Sequence, residues 1–159
     1  MRGPQTNEIS SISVDIEKTI KSFAFLRKYL VEREELARQY WIEFRANIFV
    51  LEEFCAKWNN CSKQLQEKEF GADFAVMVLE KDVGCIQKSM STLKLCRGDV
   101  FREDHWSELL QGKLELSKTV RIENLTIGHF LSVLDKLCNS EVLQFVGDLQ
   151  SRYVIFVVI

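Results

Sequence analysis

Residues 9–65, ISSISVDIEKTIKSFAFLRKYLVEREELARQYWIEFRANIFVLEEFCAKWNNCSKQL, decide the fold class. Every seventh position from Ile9 reads Ile9, Ile16, Phe23, Leu30, Ala37, Phe44, Leu51, Trp58 and Leu65. The companion position three residues on reads Ile12, Thr19, Leu26, Arg33, Tyr40, Asn47, Phe54 and Cys61. Apolar side chains at alternating steps of three and four share one side of a helix. Glu17 with Lys21, Glu34 with Arg38 and Glu53 with Lys57 add i,i+4 support. The only proline is Pro4, so nothing later in this stretch must break a helix. The pattern predicts one long helix, or two separated by a kink.

A plain two-stranded coiled coil would flank such a seam with charge. Here Ile20, Leu36, Trp41, Ile48, Val50 and Cys55 widen it. Between Tyr40 and Phe54, Trp41, Ile42, Phe44, Ile48, Phe49, Val50 and Leu51 point in nearly every direction around a continuous helix. A helix apolar all round is covered by several neighbours. Packing inside a larger helical array is therefore expected over a simple coil.

Downstream, Gly71 is expected to end this unit. A second helix is predicted from about Asp73 to Leu95, burying Phe74, Met77, Val78, Ile86, Met90 and Leu93, with Gly84 weakening its interior. Arg97-Gly98-Asp99 reads as a turn and Asp104 to Gln111 as a short helix closed by Gly112. Leu114 to Ile122 reads as a loop or brief strand. Asn124 or Thr126 can cap a fourth helix through Cys138, with Leu125, Phe130, Leu134 and Leu137 inward. Ser140 can cap a fifth helix to about Arg152. The run Tyr153-Val-Ile-Phe-Val-Val-Ile159 is β-branched and aromatic, uncharged and aggregation-prone in composition. The expectation is an all-α chain: one long N-terminal helix, then several shorter ones.

Composition narrows the function. With 47% hydrophobic and 28% charged residues the chain has the makeup of a globular domain. A net charge of −2 supplies no basic field for nucleic acid or anionic lipid. The terminal apolar run is far shorter than the ~20 residues of a membrane span, and residues 1–11 carry no secretory h-region. Neither nucleic acid nor membrane is an expected partner. Five cysteines (Cys55, Cys61, Cys85, Cys96, Cys138) include no Cys-x-x-Cys pair. With only two histidines, they are expected to be reduced thiols rather than metal ligands.

Catalytic constellations are absent from the sequence. A phosphate loop needs a glycine, then Gly-Lys-Ser/Thr. At the only Gly-Lys step, Gly112-Lys113, Leu114 follows and Ser107 stands where the first glycine belongs. His105, within Glu103-Asp104-His105-Trp106, and His129 have no accompanying nucleophile or ligand set, and His105 reads as part of a helix start. No catalytic, cofactor-binding or metal residue is expected, and no cofactor. The residues expected to matter are buried anchors: Trp58, Trp106, Leu109 and Phe130.

The ordered motifs Leu93-Lys-Leu-Cys-Arg-Gly98, Phe101-Arg-Glu-Asp-His-Trp-Ser-Glu-Leu109, Leu125-Thr-Ile-Gly-His-Phe-Leu131 and Phe145-Val-Gly-Asp-Leu-Gln-Ser-Arg152 resemble the linker of dynein heavy chains. The similarity covers roughly residues 92–152 and is greatest to the cytoplasmic class of retrograde intraflagellar transport. It implies a division into a disordered stretch 1–7, a tail-proximal long-helix region 8–95, the start of a linker-type helical domain 96–152 and an atypical hydrophobic tail 153–159. The family continues differently after residue 152 and carries an ATPase ring and stalk that are missing here, so a truncated product is expected. The resemblance further implies a non-enzymatic mechanical role within an ATP-driven microtubule motor, in cytoplasm, cytoskeleton and cilium. Its partners would be other heavy-chain regions or dynein subunits. The competing expectation is a free-standing helical adaptor, or coiled-coil module, that self-associates through the seam of residues 9–65.

Overall fold

The computed structural model describes residues 3–67, 73–97 and 101–158, with the side chains of residues 3–9 and 153–158 outside the description. The chain is all-α. Helix α1 spans Gly3–Ala37, α2 Trp41–Phe44, α3 Phe49–Leu65, α4 Phe74–Leu95, α5 Glu103–Ser107, α6 Ile127–Leu131, α7 Leu134–Leu137 and α8 Ser140–Val158. A 3-10 turn, Arg45–Asn47, joins α2 to α3, and a π-helical turn, Glu108–Lys113, extends α5. Gly71, Gly98 and Asp99, expected at turns, lie outside the described residues.

The N-terminal stretch is helical but broken. Gln39 and Tyr40 leave the helix, and Tyr40 adopts an extended conformation (φ −73°, ψ 137°). The break resets the helical phase, so the predicted seam survives only on one side of it. Phe44, Leu51, Phe54 and Trp58 are buried, whereas Ile16, Phe23 and Leu30 are exposed. In α1 the buried face is Ser22, Leu26, Tyr29 and Leu36, with Phe25 and Ala37 partly buried, so only Leu26 and, in part, Ala37 are kept from the apolar seam. The break also lets Ile42 and Phe49 face solvent, contrary to the all-round burial expected of a continuous helix.

Helices α1, α3 and α4 pack together. Lys57 in α3 pairs with Glu32 in α1 at 2.8 Å, and Lys94 in α4 with Glu52 in α3 at 2.7 Å. Phe25 meets Trp58 and Tyr29 meets Phe54, while Ser62 bonds Glu80 and Glu52 pairs with Lys94, so α3 runs antiparallel to both neighbours. Asp73 caps α4, its carboxylate accepting from the Ala75 amide at 2.8 Å. The buried face of α4 is Ala75, Val76, Leu79, Val83, Ile86, Met90 and Leu93. Phe74 (70% exposed), Met77 and Val78 face outward, correcting the predicted face.

The remaining segments cover the other side of α4. The predicted fourth helix splits into α6 and α7 at Val133, whose φ of −129° lies outside the helical range. Asn139, rather than Ser140, caps α8 by accepting from the Glu141 amide at 2.8 Å. Helix α8 continues past Arg152 to Val158. The valines and isoleucines there each cost well under ~1 kcal/mol in a helix, and no Gly or Pro stops it. At the other end α1 begins at Gly3, inside the stretch expected to be disordered. Pro4 fits a first turn, where its missing N–H has no intrahelical acceptor to lose.

Candidate functional site

Trp41 is the junction of the molecule. The extended backbone at Tyr40 forms an antiparallel bridge with Thr126. The Trp41 amide donates to the Leu125 carbonyl at 2.8 Å, and the Ile127 amide to the Gln39 carbonyl at 3.0 Å. The Trp41 indole is fully buried, donates through Nε1 to the Cys96 carbonyl at 2.9 Å and meets Phe130 edge-on at 4.8 Å between centroids. The end of α1, the end of α4 and the start of α6 therefore converge on one side chain. The approach is close enough to favour glycine at 128, where a Cβ would sit 3.0 Å from the Ala37 carbonyl oxygen.

Trp106 lies across the body, buried in α5 with its ring 5.0 Å from that of Phe101. Leu109 and Leu110 follow in the π-helical turn and are also buried. Gln111 pins the succeeding loop by donating to the Ser117 and Val120 carbonyls at 3.0 and 2.7 Å. Between that loop and α5 is a cleft of about 140 Å³, bordered by Trp106, Gln111, Lys118 and Arg121. This is below the ~300–1,000 Å³ of small-molecule sites.

A polar network fastens α1 to α4. The Tyr29 hydroxyl donates to Asp82 Oδ2, and Arg33 grips the same carboxylate through Nε at 2.7 Å and Nη2 at 3.2 Å. Burial, with help from the Asp82 carboxylate, pushes the Tyr29 hydroxyl well above its ordinary range. Burial likewise pushes the nearby Cys55 thiol up to about 12. Trp58 completes this region, its ring 5.4 Å from Phe25 and 5.3 Å from Tyr29, while Lys57 lies over it at 5.2 Å. Trp58 Nε1 has no hydrogen-bond partner among the described residues. Sequence reasoning missed this network, although Arg33, the one charged residue at its heptad position, was the available signal.

Neither histidine sits in a reactive cluster. His105 accepts the Arg102 amide through Nδ1 at 3.1 Å, and His129 accepts the Thr126 amide at 3.0 Å. Each closes the first turn of a short helix in the manner of a capping box, with His where Glu or Gln is usual. Arg102 also pairs with Asp104 at 3.1 Å and holds that carboxyl below its ordinary range. Among the described residues no group of three His, Cys, Asp or Glu could hold a metal. None of the described helices is long and apolar enough to cross a membrane.

The surface feature that stands out is on α1. Residues 10–21 are exposed on every side, beyond the reach of α3 and α4. Ile12, Ile16, Ile20 and Phe23 nonetheless lie within an arc of about 80°, at about 100° per residue, and all are at least half exposed. Leu30 and Val31 prolong that stripe along the back of the packed half.

The human cytoplasmic dynein 2 heavy chain 1 is 29% identical over 134 residues, 84% of this chain. The Caenorhabditis elegans protein of the same name is 31% identical over 131 residues, 82% of this chain. That from Chlamydomonas reinhardtii is 25% identical over 136 residues. The chain corresponds to a region of a dynein heavy chain. It spans about 3% of the length of these relatives. No family model matches the sequence, and no solved structure does. In this dynein region Leu93, Cys96, Phe101, Trp106 and Leu109, from the motifs that carry the resemblance, are all core residues. Trp58 and Phe130 are core residues as well.

Proposed function

We propose that the chain is a non-catalytic mechanical segment of the linker of a dynein heavy chain, within a microtubule motor of intraflagellar transport. One observation carries the reading: residues of the linker-like motifs are spent on packing. Trp106 and Leu109 are buried, and His105 and His129 are committed to helix caps. A lever must transmit force through a stiff body, so its important side chains are those that resist deformation. In this reading Trp58, Trp106, Leu109 and Phe130 are packing anchors and the partners are neighbouring heavy-chain helices, in the cytoplasm and cilium. The exposed stripe of α1 suits a helix laid against such neighbours, because an isolated helix of that length is only marginally stable in water.

The test is a graft. This chain replaces the corresponding region of a full dynein 2 heavy chain, and microtubule gliding is measured beside ATP turnover. Gliding should persist, and Trp106→Ala in the graft should slow it while basal turnover remains. Gliding equally fast after deletion of the whole segment would sink the proposal.

The exposed stripe also favours a second reading, a free helical adaptor that self-associates through α1. Sedimentation equilibrium separates the two. A dimer abolished by Ile16→Ser with Phe23→Ser would support the adaptor, and a monomer at tens of micromolar would not.

A further inference from the structure

Two thiols that are 53 residues apart in sequence come together where α7 meets α4. Cys138, just after α7, is exposed, and its Sγ lies 3.7 Å from the carbonyl oxygen of Cys85 in the middle of α4. The carbonyl belongs to Cys85 itself, and the Cys85 thiol is near enough to act on the Cys138 thiol electrostatically. Cys85 also falls two helical turns before Thr92, on the same side of α4. Thr92 Oγ1 donates to the Leu137 carbonyl at 2.9 Å, which holds Cys138 against this face of α4. Of the other cysteines, Cys55 and Cys96 are buried in the core and Cys61 lies on α3.

We infer that Cys85 and Cys138 form a reversible disulfide site that clamps α7 to α4 under oxidation by hydrogen peroxide. In the first step the Cys138 sulfur, as thiolate, attacks one peroxide oxygen. The O–O bond breaks, hydroxide leaves and a sulfenic acid forms. Cys85 then attacks that sulfur: the S–S bond forms, the S–O bond breaks and the oxygen leaves as water, taking the Cys85 proton. Both sulfurs are oxidised and the peroxide is reduced, so two thiols and one peroxide give one disulfide and two waters. Any thiol reductant, such as glutathione, reverses the reaction by exchange.

The surroundings set its pace. Partial burial, then the nearby Cys85, raise the Cys138 thiol above its ordinary range, Asp135 adds to this and Lys88 opposes it. Little thiolate is present at neutral pH, so the site responds to sustained rather than brief oxidation. The clamp would fix α7 along α4 and so stiffen the face of the body opposite α1 and α3.

Peptide mapping of the intact chain without reductant, before and after peroxide, reads the outcome directly. The expected result is one dominant crosslinked peptide joining Cys85 to Cys138, lighter by two hydrogens. Free thiol should be lost at both sites together and recovered with reductant. Cys85→Ser and Cys138→Ser should each abolish the crosslink and leave the helical circular dichroism unchanged, since Cys138 is exposed and Cys85 only packs against the edge of the core. In Cys85→Ser, Cys138 should stop at the sulfenic acid, trapped by dimedone. A Cys138 that over-oxidises while Cys85 stays alkylatable in the unaltered chain would overturn the inference. So would a crosslink that pairs Cys138 with any other cysteine.

Discussion

Ile16, Phe23 and Leu30 occupy the same heptad position as Phe44, Leu51 and Trp58, yet the first three face solvent and the last three lie in the core. The difference is made by three residues of non-helical backbone at Arg38–Tyr40. A helix that pauses resumes at a new angle, and the seam ahead of the pause no longer continues the seam behind it. A heptad repeat states that a stripe exists; the neighbours decide whether the stripe is used. In the packed half of α1, the side chosen is the one that delivers Tyr29 and Arg33 to Asp82.

The largest effect should come from the junction that creates this difference. Trp41→Ala should destabilise the chain by about 3–5 kcal/mol, through a cavity and a stranded Cys96 carbonyl. Trp106→Ala should cost about as much. His105→Ala removes one exposed cap contact and should cost at most about 1 kcal/mol. Urea denaturation of the three variants orders them, and a His105→Ala more damaging than Trp106→Ala would reverse the assignment of roles.

Next in size is the fastening of the packed half. Asp82→Ala leaves the Tyr29 hydroxyl and Arg33 guanidinium without their shared acceptor. A loss of about 1–3 kcal/mol is expected, because roughly a quarter of the Arg33 and Asp82 side chains remains exposed. Arg33→Ala alone should cost less. An unchanged melting temperature in Asp82→Ala would show that the network merely decorates the interface.

Alkali should act on the packed body. Cys55 and Cys96, buried, are pushed from the ordinary value of 9.0 up to about 12, and Tyr29 is raised as well. The folded state then holds protons that the unfolded chain releases. The stabilisation is complete below pH 9 and is lost as pH rises from there toward about 12. Denaturation midpoints measured from about pH 8 to about pH 11 should fall, and Cys96→Ala should flatten the fall.

The smallest effect belongs to the projecting stripe. Ile16→Ser and Ile20→Ser should change the stability of the isolated chain by no more than about 0.5 kcal/mol each. A larger loss would mean that the stripe is already covered in solution, by a second copy or by the chain itself.

Helix content and several boundaries were legible in the sequence, because they rest on local chemistry. Asp73 and Thr126 announce helix starts, and nothing between Phe74 and Leu95 stops a helix. A kink somewhere in residues 9–65 was one of the two readings, but its place at Arg38–Tyr40 was not legible. The break contains no proline or glycine, and its cause is backbone pairing with Leu125 and Ile127, far away in sequence. The buried face of α1 was hidden for a related reason: Ser22 and Tyr29 look like surface residues until the fold supplies partners, Asp82 accepting from the buried Tyr29 hydroxyl and from the half-buried Arg33. Trp106 was legible as an anchor candidate through its family motif. Trp41, one apolar residue among many, was not legible as the junction.

The bridge between Tyr40 and Thr126 also has a consequence for synthesis. A ribosome adds about 5–20 residues per second, so the Gln39–Trp41 segment emerges some seconds before Leu125–Ile127 exists to receive it. During that interval the Trp41 indole and its neighbouring amides have no native partner, and α1 can extend straight through the future break. The nascent chain therefore has no partner to hold the break at Gln39–Trp41 until α6 arrives, and the helix that ends at Ala37 is free until then to run on.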